Sequence, residues 1–160
     1  TLFDEVSEAL VTFDLNTENL LPSQVLAPFP KSKDELHYLA TSTQGQLAIS
    51  LRRFDDNDQF VSNELRLLEP DSQRYKYIVT HSATEGIIQN IAWYPDASGI
   101  LYELNQGGKT KVYQAYQQEN SWVHSLVTVA PDPVRYVWLP KQLAILTAQD
   151  HVTIFNISSP

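Results

Sequence analysis

The densest group of potentially reactive side chains is an acidic cluster, Asp55-Asp56-Asn57-Asp58. Carboxylate oxygens can bind Ca²⁺, but an EF-hand loop also needs glycine at its sixth position and glutamate at its twelfth. Counted from Asp55, those positions hold Phe60 and Arg66. We therefore interpret the cluster as a solvated loop tip and predict no metal site there.

The other residue types that commonly perform chemistry are scattered or absent. The four histidines show no spacing of three or four residues, so a zinc site would need the fold to unite distant ones; they are His37, His81, His124 and His151. There is no cysteine, no serine in a G-x-S-x-G elbow and no glycine-rich phosphate loop. The sequence thus predicts neither a catalytic residue nor a cofactor, and we expect a protein that is not an enzyme.

Composition excludes several partners. The formal net charge of −8 argues against direct nucleic-acid contact, which needs a basic surface, and against docking on anionic lipid. No apolar run approaches the ~20 residues of a membrane span, and the amino end lacks the pattern of an export signal. Methionine is absent even at position 1, so we expect a processed product or a piece of a longer protein.

The elements that must position any site read as β-strands. A strand, a short polar turn and a second strand recur over residues 10–26, 64–79 and 112–127. Between the first two copies, Leu47, Ile49 and Leu51 alternate as a half-buried strand requires. No internal window keeps a helical period, so we predict an all-β fold.

The first ten residues allow two interpretations. Thr1 and Asp4 could cap a short helix with Leu2, Val6 and Ala9 on its apolar face. Alternatively the segment is an irregular end that leads into a strand over 9–15, and we favour the strand.

A repeat unit organises the chain. Trp93-Tyr94-Pro95 is followed forty-five positions later by Trp138-Leu139-Pro140, and ~40–45 residues is the length of a four-stranded propeller blade. The predicted fold is therefore an antiparallel β-propeller, partial, with about three and a half blades. Its single domain comprises a partial blade over 1–30, blades over 36–80 and 87–127, and an incomplete blade over 134–158.

The motif residues are predicted to have structural roles. Large tryptophans pack between blades, prolines end strands, an aspartate bonds its own turn and paired glycines supply positive φ in a hairpin. These residues are Trp93, Trp138, Pro95, Pro140, Asp96, Gly107 and Gly108.

Residues 91–116 resemble the blade motif of TolB-like propellers, in which a W-S-P-D-G turn precedes an S-N-R-G-G turn. Tyr94 stands in place of the serine, Ala97-Ser98 lengthens the first turn, and Gln106 replaces the arginine. The resemblance implies a non-catalytic module of the periplasm or cell envelope that binds a protein or peptide. The sensory part of a membrane-anchored bacterial transcriptional regulator is one such module. Residues 152–158 also resemble a WD-repeat strand.

The resemblance leaves an alternative open. Similar propellers restrict access to the catalytic domain of prolyl-oligopeptidase-type peptidases. A winged-helix segment and a membrane span upstream in the parent gene would favour the sensor. A nucleophile elbow downstream would favour the peptidase.

Loop lengths predict which face binds the partner. The longest predicted loop, 53–63, shares one end of the blades with loops at 81–86, 105–109 and 130–133. Long loops on a rigid scaffold are where binding usually resides. The candidate binding residues at this end are Asp55, Asp56, Asp58, His81, Asn105 and Gln106.

The blade count also predicts association. Propellers use four to eight blades, and 160 residues supply fewer than four. Unpaired strand edges promote association, so we expect either a homodimer through open blade edges or a parent protein that supplies the missing blades.

Overall fold

The computed structural model describes residues 2–4, 9–13, 22–28, 34–69, 74–130, 133–139, 142–147 and 151–156. Regular structure in these ranges is β-strand throughout, and no helix long and apolar enough to cross a membrane is found in them. The strands are β1 (Leu2–Asp4), β2 (Ala9–Phe13), β3 (Pro22–Pro28), β4 (Asp34–Thr41), β5 (Leu47–Phe54), β6 (Phe60–Glu69), β7 (Arg74–Ser82), β8 (Ile87–Trp93), β9 (Gly99–Gln106), β10 (Lys109–Gln118), β11 (Ser121–Ala130), β12 (Pro133–Leu139), β13 (Gln142–Thr147) and β14 (Val152–Asn156).

The strands form four antiparallel sheets in which each strand pairs with the next along the chain. Sheet 1 contains β1–β3, sheet 2 contains β4–β7, sheet 3 contains β8–β11 and sheet 4 contains β12–β14. The predicted all-β class is confirmed, and so are antiparallel four-stranded sheets in the two central units. Short turns explain this order, because a tight turn can only return the chain antiparallel to the strand it has just left.

The amino-terminal segment differs in part from prediction. The described part of the first ten residues is strand, with β1 at Leu2–Asp4 and β2 beginning at Ala9, so the helical alternative is wrong. β1 pairs with β2 through Leu2↔Val11 and adds a third strand to a unit predicted to contain two. The predicted turn at Asn16–Asn19 lies outside the described residues.

Sheet 3 lies between sheets 2 and 4, with a separate hydrophobic core on each side. Between sheets 2 and 3 the core includes Leu65 and Ile88, both 0% exposed. Between sheets 3 and 4 it includes Leu101 and Leu143. Alternation along β9 sends Ile100, Tyr102 and Leu104 into the first core and Leu101 into the second. Since both faces of sheet 3 are buried, β9 reads as a nearly continuous apolar run.

The two aromatic residues at the end of β8 face opposite neighbours. Trp93 is 8% exposed, and its indole Nε1 donates to the carbonyl oxygen of Ala40 in sheet 2 at 2.9 Å. Tyr94 joins the core shared with sheet 4, and its hydroxyl donates to Gln114 Oε1 at 2.9 Å. The prediction that Trp93 packs between neighbouring four-stranded units is confirmed.

The turn after β8 has the internal bonding predicted for it. Asp96 Oδ1 accepts hydrogen bonds from the backbone N–H of Ser98 at 3.0 Å and its hydroxyl at 2.7 Å. β8 ends at Trp93, two residues before Pro95. A Cβ at Gly99 would lie 2.9 Å from the carbonyl oxygen of Ala115, so only glycine fits there.

Some of the remaining motif residues lie in the described part of the chain. Gly107 and Gly108 have φ of 57° and 81° and form the two-residue turn between β9 and β10, as predicted. Trp138 lies near the end of β12, where it pairs with Leu143. Pro140 and residues 70–73 of the turn predicted at 69–73 fall outside the described residues, and Glu69 ends β6.

The face of sheet 2 that points away from sheet 3 divides into an apolar and an ionic part. Leu47, Ile49 and Leu51 form the apolar part. Beside it, the Glu64 carboxylate accepts from Arg53 Nη1 at 2.8 Å and from the Arg66 guanidinium. Burial acts to raise the pKa of Glu64, but the hydrogen bonds from the two guanidinium groups outweigh burial and hold that pKa below its usual value.

Candidate binding surface

Three hairpin and crossover turns meet at one end of sheets 2 and 3. They are residues 55–59 between β5 and β6, 83–86 between β7 and β8, and 107–108 between β9 and β10. The register pairs Phe54 with Phe60 and Ser62 with Ser82, so the first two turns emerge at the same end of sheet 2. We call these three turns together the turn surface.

The first turn is shorter than predicted. The 53–63 segment was expected to be a long loop, but β5 continues through Phe54 and β6 begins at Phe60. Phe54 and Phe60 pair across the hairpin with ring centroids 6.0 Å apart. The packing of this apolar pair extends both strands toward the turn, which is left with residues 55–59 only. The prediction of a long loop is therefore wrong.

Asp55 is a structural part of this turn. Its Oδ1 accepts from the backbone N–H groups of Asn57 and Gln59, each at 2.9 Å. Asp56 and Asp58 are exposed, and Asp58 adopts a φ of 58°. Among the described residues no group of three or more His, Cys, Asp or Glu side chains is placed to hold a metal ion. The turn therefore presents two carboxylates outward and uses the third for its own geometry.

The second turn carries a further outward carboxylate. Glu85 accepts from the backbone N–H of Ser82 at 2.7 Å and from the Ser82 hydroxyl at 2.9 Å. These hydrogen bonds lower the pKa of Glu85, with a smaller contribution from His81. Glu85 is therefore ionised at neutral pH and held in one orientation.

The second and third turns are joined to each other. Gln106 Nε2 donates to the Thr84 carbonyl oxygen at 2.8 Å, and Lys111 Nζ donates to Gln106 Oε1 at 3.1 Å. A Cβ at Gly86 would lie 2.4 Å from the Asn105 carbonyl oxygen, which shows how closely the two backbones approach. The second and third turns are therefore cross-linked, and the described part of the turn surface contains no long loop.

A cluster of four rings lies behind the turn surface, at the seam between sheets 2 and 3. We call His81, Tyr102, Tyr113 and His124 the ring cluster. The Tyr102 hydroxyl lies 3.0 Å from His81 Nε2 and 3.4 Å from His124 Nδ1. Tyr102 and Tyr113 stack with centroids 5.3 Å apart and an interplanar angle of 10°. The cluster thus ties β7 of sheet 2 to three strands of sheet 3.

Burial determines what the ring cluster can do chemically. His81 is 4% exposed and Tyr102 is 1% exposed. Burial strongly raises the pKa of the Tyr102 phenol. It also lowers the pKa of His81, despite the opposing pull of Glu85, whose Oε1 lies 3.8 Å from His81 Nδ1. A neutral phenol shielded from solvent is a poor nucleophile or acid, so the cluster acts as a structural hydrogen-bonded joint.

The six predicted binding residues have different positions in the structure. Asp56, Asp58 and Gln106 are exposed on the turn surface, whereas Asp55 bonds its own turn. Asn105 is half-buried, with its side-chain Nδ2 3.5 Å from Thr110 Oγ1. His81 was predicted in a loop at 81–86, but β7 extends through Ser82 and the histidine is buried. That placement is corrected: His81 supports the turn surface from behind and is not presented on it.

The sequence reasoning missed Glu85 and most of the ring cluster. One pair of the cluster could have been predicted. Residues at equal distances from a two-residue turn lie opposite each other, so the turn at Gly107-Gly108 pairs Tyr102 with Tyr113. No local signal brings His81 to Tyr102, because the two lie on different sheets. In the predicted loop at 130–133, Ala130 ends β11 and Pro133 begins β12, and the residues between lie outside the described part.

Comparisons with known proteins add no family assignment to the motif. A scan against protein-family models finds no matching family, and a search of curated proteins finds no match. The likeness of residues 91–116 to a TolB-like blade therefore remains a prediction from the motif.

Proposed function

We propose that this chain is a non-catalytic module that binds a protein or peptide through the turn surface. The supporting observation is that Asp56, Asp58 and Glu85 lie exposed on turns whose conformations are held by hydrogen bonds. Hydrogen bonds between the second and third turns, and those within the first turn, reduce the entropy lost on binding, which favours a preorganised site. An acidic surface selects a partner segment that carries basic side chains.

The four sheets are proposed to be blades of a β-propeller, complete or partial. Sheets 2 and 3 each contain four antiparallel strands in chain order, and sheet 3 stacks face to face with sheets 2 and 4 through shared cores. This arrangement is the one that propellers repeat. It supports the TolB-like interpretation over a single β-sandwich, in which strands typically cross between two sheets.

The proposed setting is the bacterial periplasm or cell envelope, within a membrane-anchored regulator or a TolB-like protein. Its support is the blade motif at 91–116. Reading the parent gene tests it: a winged-helix segment and one membrane span upstream agree with a sensor. A nucleophile elbow downstream would instead assign the chain to a prolyl-oligopeptidase-type peptidase.

Charge reversal at one turn tests the binding proposal. The probe is a synthetic extended peptide of alternating lysine and threonine, with binding followed by fluorescence anisotropy at low and moderate salt. We expect Asp58→Lys to weaken binding several-fold and Asp56→Lys/Asp58→Lys to weaken it further, because like charges then oppose the probe.

Glu119→Lys is the matched control. Glu119 is an exposed turn carboxylate with φ 54°, close to the 58° of Asp58, but it lies in the β10–β11 turn at the opposite end of the sheet. Glu119→Lys and Asp58→Lys change the net charge equally. Equal weakening by Glu119→Lys, or no binding by the wild type at low salt, would contradict the proposed surface.

A further inference from the structure

We infer that the ring cluster contains a hydrogen-bond chain with one direction, in which His124 donates to Tyr102 and Tyr102 donates to His81. His81 in turn presents its Nδ1–H to the Glu85 carboxylate on the turn surface. Tyr102 is thereby a positioning residue that keeps His81 neutral behind that surface. The consequence for binding rests on the proposed function, whereas the chain itself does not.

The Glu85 carboxylate determines where His81 holds its proton. Its Oε2 accepts from the backbone N–H and the hydroxyl of Ser82, at 2.7 and 2.9 Å, which holds the carboxylate in one orientation. Its Oε1 lies 3.8 Å from Nδ1 of the buried His81. A negative oxygen attracts an N–H group and repels a lone pair. The carboxylate therefore favours the tautomer of His81 that has its hydrogen on Nδ1.

The rest of the chain follows from the number of donors and acceptors. With its hydrogen on Nδ1, neutral His81 offers Nε2 as an acceptor, and the Tyr102 hydroxyl lies 3.0 Å from that nitrogen. A phenol has a single hydrogen to donate. Its oxygen must then accept from His124 Nδ1, which lies 3.4 Å away. His124 therefore also has its hydrogen on Nδ1.

The opposite direction would place two acceptors face to face. If Tyr102 donated to His124, His81 Nε2 would have to donate to Tyr102. Neutral His81 would then turn the lone pair of Nδ1 toward Oε1 of Glu85. This arrangement is repulsive because Glu85 is ionised, its pKa being lowered by hydrogen bonds from Ser82.

The chain opposes protonation of His81. A further proton would have to occupy Nε2, which already accepts from Tyr102, and a hydrogen bond made to the neutral form favours that form. Burial lowers the pKa of His81 as well. Neutral His81 leaves the charge of Glu85 uncompensated. Charged His81 would offset that charge and remove part of the acidic character on which the proposed function depends.

The other titratable and charged groups around His81 act independently of the Tyr102 hydroxyl. Burial and the positive charges of Lys111 and protonated His124 oppose a charge on His81, whereas Glu85 favours it. The groups that face His81 are Glu85 in the 83–86 turn, Tyr102 on β9, Lys111 and Tyr113 on β10, and His124 on β11. Tyr102→Phe removes one hydroxyl and leaves every charge in place, so this variant isolates the chain.

NMR of the ¹⁵N-labelled full chain tests the direction, because protonated and unprotonated ring nitrogens have well-separated shifts. At about pH 8, where an ordinary histidine is neutral, we expect hydrogen on Nδ1 in both His81 and His124. His37 is an internal control. Its Nε2 lies 2.9 Å from Arg52 Nη2, and a guanidinium only donates, so His37 also has its hydrogen on Nδ1. Hydrogen on Nε2 of His81 or His124 would overturn the inference.

Tyr102→Phe tests the role of the hydroxyl. We expect His124 to lose its preference for hydrogen on Nδ1, and the titration midpoint of His81 to rise by about half a pH unit or more. His37 should titrate as in the wild type. A His81 midpoint that stays the same or falls would contradict the role of Tyr102.

The lysine–threonine peptide separates this inference from the proposed function. Its affinity should begin to fall at a higher pH in Tyr102→Phe than in the wild type, so that the variant binds several-fold more weakly at about pH 6. Identical pH profiles would contradict the link between His81 and the turn surface. No binding by the wild type at about pH 7 would count against the proposed function, and the NMR results would still decide the direction of the chain.

Discussion

At the scale of single residues, the chain places large aromatic and titratable side chains between sheets rather than on them. Trp93 reaches a carbonyl oxygen of sheet 2, Tyr94 reaches the core of sheet 4, and His81 reaches the hydroxyl of Tyr102. Each contact joins elements distant in sequence. Substitution at such a residue therefore removes both packing and a hydrogen bond.

Replacement of Trp93 by alanine should cost ~3–5 kcal/mol of unfolding free energy, the usual range for a large buried aromatic side chain. Trp122 lies on edge strand β11, is only partly buried, and its buried Nε1 has no hydrogen-bond partner. Trp122→Ala should therefore cost clearly less. Urea unfolding of the two variants measures the difference, and a larger loss at Trp122 would contradict the proposed role of Trp93.

The stability of the seam should depend on pH through His81. Burial lowers the pKa of His81 below its ordinary value of 6.5, so the folded state binds fewer protons than the unfolded state as pH falls through 6.5. The contribution of neutral His81 to the free energy of unfolding is complete above about pH 6.5. It declines as the pH falls toward the pKa of His81 in the folded state. The groups that face His81 are Glu85, Tyr102, Tyr113, His124 and Lys111.

Measurement of unfolding free energy between pH 8 and pH 5, by urea titration in roughly half-unit steps, tests this dependence. The wild type should lose stability below pH 6.5, and His81→Gln should show a shallower slope. His37 also has a pKa lowered by burial and by Arg52, so some slope should remain. An unchanged slope in His81→Gln would show that its titration is not coupled to folding.

At the scale of elements, hydrogen bonds at both ends of the strands help to fix how sheets 2 and 3 sit against each other. At one end, Asn63 Nδ2 donates to the Gly86 carbonyl oxygen at 2.6 Å. At the other, the Thr43 hydroxyl donates to the Pro95 carbonyl oxygen at 3.1 Å. Strand packing alone permits sliding, whereas these directional contacts set one relative position.

Two glycine substitutions separate turn conformation from close approach. Gly45 has a φ of 79° with nothing within 4 Å of an added Cβ, so Gly45→Ala should cost about 1 kcal/mol of backbone strain. Gly86 has a φ of 131° and an added Cβ would lie 2.4 Å from the Asn105 carbonyl oxygen. Gly86→Ala should therefore cost more than about 3 kcal/mol. Urea midpoints with unchanged m-values would establish the order, and equal costs would contradict it.

At the scale of the whole molecule, shared cores should make sheets 2, 3 and 4 unfold together. Sheet 3 contributes Trp93 to one core and Tyr94 to the other. Unfolding of sheet 3 would therefore disrupt both cores. We expect tryptophan fluorescence and far-ultraviolet circular dichroism to report one coincident urea transition. Separate transitions would show that the sheets are independent units, as in long repeat arrays.

The sequence by itself determined the class of fold and the register of the β9–β10 hairpin. Alternation at Leu47, Ile49 and Leu51 identified a strand, but the prediction that it is half-buried is wrong, because Ala48 and Ser50 on its other face are buried too. Gly107-Gly108 fixed a hairpin. The spacing from Trp93 to Trp138 marked equivalent strands, β8 and β12, each the first of its sheet. These features are local, because side-chain alternation and turn conformation are settled by neighbours along the chain.

Only the tertiary structure decided which candidate residues face outward. Phe54 and Phe60 turned a predicted loop into paired strands, and His81 went from a loop position to a buried one. Tyr102, His81 and His124 meet because sheets 2 and 3 pack face to face, and no periodicity within one strand encodes that contact. Packing between sheets depends on the combined shape of both surfaces, which the order of residues along a single strand does not reveal.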